Sequence, residues 1–131
     1  MSVQLEKAER TRMVIDRFLS YDWSVLADNA RGEIIGLRKA VGPVENETVA
    51  NELYHEAFEA EPDIYKVIYG ESNGVVEFKF IGKHTGEFCG VPATGKTVNV
   101  PAIAIYDVDG DLMSGVRLYL PIKTMLEQIQ N

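Results

Sequence analysis

The chain has 131 residues, 46% of them hydrophobic, with 20 acidic against 13 basic residues and a formal net charge of -7. That length suits a single domain over 1–131, with a real hydrophobic core and too little chain for two ordinary domains. The acidic balance argues against a nucleic-acid or anionic-membrane surface, no stretch approaches the ~20 apolar residues that span a bilayer, and Cys89, the only cysteine, leaves no internal disulfide and no thiolate metal cluster.

The charged start MSVQLEKAERTR has no apolar run before a cleavage site, so no secretion signal is expected and a reducing cytoplasm is the simplest location. Leu5 to about Tyr21 reads as a helix, with Val14, Phe18 and Tyr21 on one stripe and Ile15 and Leu19 beside them. Asp22 looks like the cap of a short second helix from Trp23 to about Ala27. Residues 28 to 47 read as a short strand and a loop around the mainly apolar Glu33 to Leu37 segment. Asn46-Glu47-Thr48 spells a glycosylation sequon, idle in a chain that is not secreted. Thr48 is expected to cap a third helix, whose apolar stripe is Val49, Ala50, Leu53, Tyr54, Ala57 and Phe58, with Pro62 past its end.

From Asp63 the apolar period changes to two: IYKVIYG, a turn at Glu71 to Gly74, VVEFKFIGKH, a loop, TVNVPAIAIYDV, a tight Asp109-Gly110 turn, then DLMSGVRLYL. Four strands with hairpin-like links mean a largely antiparallel sheet. After Pro121 a last short helix carries Ile122, Met125, Leu126 and Ile129. Helices first and a meander afterwards predict an α+β layer arrangement, helices on one face of the sheet.

The stretch Gly82 to Pro101, GKHTGEFCGVPATGKTVNVP, carries the densest signal. Gly90 to Thr97 satisfies the letters of a phosphate-binding P-loop, whose amides and lysine cradle nucleotide phosphates. A working P-loop feeds directly into a helix whose first N–H groups complete the anion site. Here the β-branched TVNVPAIAIYDV follows, broken by Pro101, and it reads as a strand. The expectation is a loop between antiparallel strands and no nucleotide.

The run His84, Thr85, Gly86, Glu87, Phe88, Cys89, Gly90, Val91, Pro92, Ala93, Thr94, Gly95 resembles the HTGEF-x-G-I/V-P-x-TG signature of the SnoaL-like polyketide cyclase family, and the element order resembles the cone-shaped NTF2-like fold to which that family belongs. The resemblance implies N-terminal helices packed on a curved, largely antiparallel sheet, closing a pocket for an apolar small-molecule ligand. It also implies cofactor-free chemistry on a polyketide-like or terpenoid-like compound, such as an aldol cyclisation or isomerisation, in a homodimer joined by the outer sheet face.

Alternation puts Val76, Phe78, Phe80, Gly82 and His84 on one face of VVEFKFIGKH, and the aromatic face should be the inner one. His84 is then the leading acid/base candidate at the pocket mouth, its imidazole able to exchange a proton near neutral pH. Alternatively it ties down the following loop by hydrogen bonding. The expected pocket lining is Phe18, Tyr21, Trp23, Tyr54, Phe58, Phe78, Phe80, Asn99, Tyr106, Val116 and Leu118, several of which are equally at home as plain core. Asn99 either faces solvent or offers its amide to a ligand. Arg117, on the outer face, is expected to pair with Glu77 or a partner subunit.

The chain also departs from the resemblance. Aligned on the PAIAIY strand, Ala104 stands where ketosteroid isomerases keep a carboxylic acid. Val116, Leu118, Phe80 and Gly82 replace the tryptophan, the arginine and the two aspartates of the epoxide-hydrolase branch. Lacking a positioned base would forgo roughly 10²- to 10⁴-fold of rate. A binding protein that keeps the pocket without catalysis, or an assembly module using the sheet face, therefore stands beside the enzyme reading. No spacing of His, Asp and Glu suggests a metal site, and no cofactor is expected.

Overall fold

The computed structural model describes residues 3–131, with side chains from residue 6 onward. Helix α1 (Val3–Leu19) is followed by a single 3-10 turn (Trp23–Val25), strands β1 (Leu26–Ile34) and β2 (Arg38–Val41), and helix α2 (Gly42–Asn51), which widens into a π-turn (Glu52–Ala57). Strands β3 (Phe58–Tyr69), β4 (Asn73–His84), β5 (Thr97–Asp109) and β6 (Leu112–Tyr119) then meander into helix α3 (Ile122–Gln130). The strands form one curved, open sheet of order β2-β1-β6-β5-β4-β3. It is mixed: β1 runs parallel to β6, and every other pair is antiparallel.

Beyond the four strands expected from Asp63 onward, the short strand expected within residues 28 to 47 is two strands, β1 and β2; they are hard to read because the outer face of β1 is polar and its pairing with β6 slips between Leu26 and Arg31. That irregularity blurs the period-two signal. The expected second helix shrinks to the 3-10 turn, with Leu26 and Ala27 already in β1. Its predicted cap holds, since the Asp22 carboxylate accepts from Ser24 N at 3.0 Å.

Helix α2 begins at Gly42 rather than at Thr48. Pro43 sits in its first turn, Gly42 takes the left-handed φ of 85°, and Glu45 Oε1 accepts the Val41 N–H at 3.0 Å. Proline fixes φ where no N–H is needed, and the glutamate reaches back to the N–H of the cap residue itself, as the return bond of a capping box does. Thr48 lies inside the helix, donating to Val44 O at 2.9 Å. Phe58, expected on this helix, opens β3 instead, and Pro62 lies within that strand. A proline is tolerated there because β3 is an edge.

The inner face collects the core: Val76, Phe78, Phe80 and His84 on β4, and Val98, Val100, Ala102, Ala104, Tyr106 and Val108 on β5. Val14 and Ile15 of α1 pack onto it. Thr11 Oγ1 donates to Glu71 O at 2.5 Å, and Arg12 lies over the Tyr69 ring at 4.8 Å, clamping α1 to the β3–β4 hairpin. On the outer face Arg117 pairs with Asp107 across the β5–β6 ladder rather than with Glu77, which β4 places opposite Ile103. The pairing follows from register, because Asp107 lies opposite Gly115, one outward position along β6 from Arg117.

The loop from Thr85 to Lys96 feeds β5 and no helix, so the P-loop letters have no anion site behind them. It is docked to the end of the π-turn by Thr85 N and Gly86 N, both donating to Ala57 O at 3.0 Å. Gly86 is required there, since a Cβ would stand 2.3 Å from Glu56 O. At this same end of β5, beyond the reach of β6, Gln128 of α3 meets both Asn99 backbone groups, accepting from N at 2.9 Å and donating to O at 3.2 Å.

Candidate functional site

Two cavities lie between the helices and the inner sheet face, and Phe18, Trp23, Tyr54 and Tyr106 line both. The inner one, about 120 Å³, runs under α2 and is walled by residues such as Ile34, Leu53, Ala104, Val116 and Leu118. The outer one, about 440 Å³, has Val76 and Phe78 on its floor and the exposed residues Tyr21, His55 and Glu61 along its rim. An apolar void of about 150 Å³ accommodates a benzene molecule. On that scale the inner chamber takes roughly one ring and the outer vestibule a larger fused body.

The shared residues form an aromatic collar. Phe18 stands edge-on to Trp23 at 5.1 Å and to Tyr106 at 5.4 Å, while Tyr54 leans on Phe80 at 5.2 Å. Neither the Tyr54 nor the Tyr106 hydroxyl bonds to another group among the described residues, and neither is sealed in protein, so both face cavity space. Burial pushes both phenols well above the ordinary phenol range, and at Tyr54 the nearby Tyr106 and Tyr21 act in the same direction. A phenol held in this way stays protonated and is a ready hydrogen-bond donor. Tyr21 ends α1 in the left-handed region at φ 68°, an uncommon conformation for a bulky residue, and it overhangs the rim.

Of the residues singled out from the sequence, Phe18, Trp23, Tyr54, Tyr106, Val116 and Leu118 line the inner cavity, and Tyr21 and Phe78 line the outer one. Phe58 and Phe80 are fully buried behind Tyr54, edge-to-face with each other at 5.3 Å, and reach neither. Asn99 is exposed on the outer face, as its position between inward-facing Val98 and Val100 requires. His84 does point inward but meets no opening. Its ring is fully buried against Phe58, and Nδ1 accepts the Thr94 backbone N–H at 3.2 Å with Thr94 Oγ1 at 3.0 Å. Because Nδ1 accepts, the ring proton sits on Nε2, which has no partner.

Sequence reasoning missed Asn46, Gly32 and Ala50 on the inner wall and His55 and Glu61 at the rim. Asn46 was hidden by placing the helix start two residues past it; a Gly-Pro pair with an acidic residue two positions on was the available signal. His55 rides on the π-turn, a helical defect common at functional sites. Arg38 holds that turn through two bonds to Glu52, of 3.1 and 2.9 Å. Among the described residues no group of three His, Cys, Asp or Glu is placed to hold a metal ion, and no helix is long and apolar enough to cross a membrane.

A family model described as SnoaL-like polyketide cyclase matches residues 12–129. The chain belongs to the SnoaL-like polyketide cyclase family. Solved structures agree on the NTF2-like fold. A candidate SnoaL-like polyketide cyclase from Jannaschia sp. CCS1 superposes with a TM-score of 0.83 at 19% identity, covering 93% of this chain and 92% of that one. A candidate polyketide cyclase from Xanthomonas campestris gives 0.79 at 17% identity over 94% and 98%. An LEH-like epoxide hydrolase from M. tuberculosis gives 0.65 at 13% over 96% and 90%. A comparison with curated proteins finds no match. In this SnoaL-like chain two residues of the family signature, His84 and Thr94, bond each other, so the signature acts as a latch that folds the loop back on its strand.

Proposed function

We propose that this SnoaL-like protein binds an apolar ring ketone through the collar and acts on it by cofactor-independent keto–enol chemistry, as an isomerase or an aldol cyclase. The observation that carries this is the pair of buried hydroxyls, Tyr54 and Tyr106, facing cavity space with no partner among the described residues. A substrate carbonyl accepting from both would have its developing enolate charge met by donors already in place. Such donors are worth roughly 10²- to 10³-fold each in rate when removed singly.

The base is His55, the imidazole that lines the outer cavity. Its free nitrogen takes the proton from the carbon beside the carbonyl, and the C–H electron pair moves into the enolate held by the phenols. For isomerisation the imidazolium returns that proton to another carbon of the conjugated system. For cyclisation the enolate carbon forms a C–C bond to a second carbonyl carbon, whose alkoxide takes the proton. His84 holds the loop and takes no part in these steps. The same picture has a cytoplasmic homodimer pairing through the outer sheet face, where Ile68, Ile103 and Tyr119 are exposed.

One observation favours binding without turnover. Ala104 puts a methyl group on the inner wall where the ketosteroid-isomerase resemblance leads one to look for an acid. The deciding experiment incubates wild type and His55→Ala with a panel of fused-ring ketones and follows deuterium exchange beside the carbonyl. Catalysed exchange that His55→Ala lacks, with binding kept, supports the enzyme. Tight binding with no exchange above buffer supports a carrier.

A further inference from the structure

Asn46 is 9% exposed, lines the inner cavity, and gives its side-chain amide two fixed contacts: Nδ2 donates to Gly42 O at 2.7 Å and to Ala30 O at 3.2 Å. Both partners are carbonyl oxygens, so the NH₂ group must be on that side and the amide orientation is settled by chemistry. Ala30 lies just past the paired stretch of β1 and β2, which ends at Arg31 opposite Val41, and the Asn46 amide meets its carbonyl there. With both amide hydrogens committed, Oδ1 is left as an acceptor. It takes no hydrogen bond among the described residues, and it is not sealed in protein. It stands over Gly32, itself part of the cavity wall, so close that a Cβ there would come within 1.7 Å of it.

A nearly buried carbonyl oxygen facing a small cavity with no donor calls for one. The phenols at the collar present hydrogens, so a ligand group reaching them must be an acceptor. Asn46 Oδ1 presents lone pairs, so a ligand group reaching it must be a donor. We propose that Asn46 is a specificity-determining residue that selects a hydroxyl or N–H donor on the ligand ring, which makes the ligand class a hydroxylated ring ketone rather than a plain one. This rests on the carbonyl-to-phenol reading of the preceding subsection and adds the second polar anchor. Both anchors line a chamber of about 120 Å³, so one ring can carry both groups.

Matched ligands test it. Dissociation constants are measured by calorimetry for tetralin, tetralone, its ring-hydroxylated isomers and their methyl ethers, against wild type, Asn46→Ala and the Tyr54→Phe/Tyr106→Phe double variant. In wild type one hydroxytetralone isomer should bind about five- to tenfold more tightly than both tetralone and its own methyl ether, the worth of one hydrogen bond. Asn46→Ala should erase that advantage while leaving tetralone within about twofold, and the tyrosine double variant should erase only the preference for tetralone over tetralin. Asn46→Ala also loses the tethers to Ala30 and Gly42; should it fail to fold, the hydroxyl-against-methoxy comparison in wild type decides alone. If no hydroxyl isomer outperforms its ether while tetralone still outperforms tetralin, the Asn46 inference falls and the phenol reading stands. If tetralone gains nothing over tetralin, or nothing binds, both fall.

Discussion

Two clusters of buried aromatic and polar side chains sit on the same sheet face and differ in what their polar atoms do. At the loop end, His84, Phe58, Phe80 and Phe88 pack ring against ring, Nδ1 of His84 is engaged by Thr94 of the returning loop, and Nε2 is sealed in protein rather than facing space. At the collar, Tyr54 and Tyr106 sit among equally apolar neighbours, yet their hydroxyls and Asn46 Oδ1 have no protein partner and face space. The first arrangement holds a loop; the second is the one proposed above to take a ligand. The most distinctive letters of the chain belong to the first, and the site belongs to residues with no motif.

The contrast can be broken in order of expected effect. Tyr106→Phe or Tyr54→Phe should lower catalysed exchange by about 10²-fold while leaving stability nearly unchanged, since no intramolecular hydrogen bond is lost. Urea melts run beside the exchange assay check both halves. His84→Ala should do the reverse: a loss of about 3 kcal/mol from the emptied ring site and released loop, with tetralone affinity within about twofold. A His84→Ala protein that melts like wild type but no longer binds would put the site at the loop end after all.

Smaller effects sharpen the same comparison. Burial raises both collar phenols above their ordinary value, so the folded state favours the protonated form. Their contribution is complete below the ordinary phenol range near pH ~10 and is lost as pH climbs above it. Unfolding free energy should fall in that alkaline window, less steeply in the tyrosine double variant. Asp22 runs the other way: hydrogen bonds from Ser24 and Arg17 hold its carboxyl below the usual value. Its contribution is present above the ordinary carboxylate range and is lost as pH falls through the lowered value, so Asp22→Asn should flatten the acid limb of the stability profile slightly.

Much of this architecture was legible in the sequence. Period-two alternation placed β4, β5 and β6 and put His84 on the inner face, while helical spacing brought Phe18 and Tyr54 to the core. What alternation cannot say is whether an inward residue meets a cavity or another chain segment, and for His84 that depends on Thr94 folding back from ten residues away. Within residues 28 to 47 one short strand was legible, but the extent of β1 and the separate β2 escaped, because LADNARGEI hides its inward Leu26, Ala30, Gly32 and Ile34 among polar neighbours across a slipped register. Asn46 escaped as well, because its contact with Ala30 O exists only once α2 is packed across the end of the β1–β2 pairing.

Pro62 and the displaced register between Ile64 and Lys66 together shape how this protein meets its own copies. Strand β3 is twelve residues long and forms the free margin of the sheet. An unbroken margin of that length would template strand addition and fibrous growth. The proline removes one donor from it and the bulge twists the rest out of line, leaving segments too short for a second chain to zip along. The opposite margin, β2, is only four residues. Both margins are thereby poor templates for open-ended strand addition.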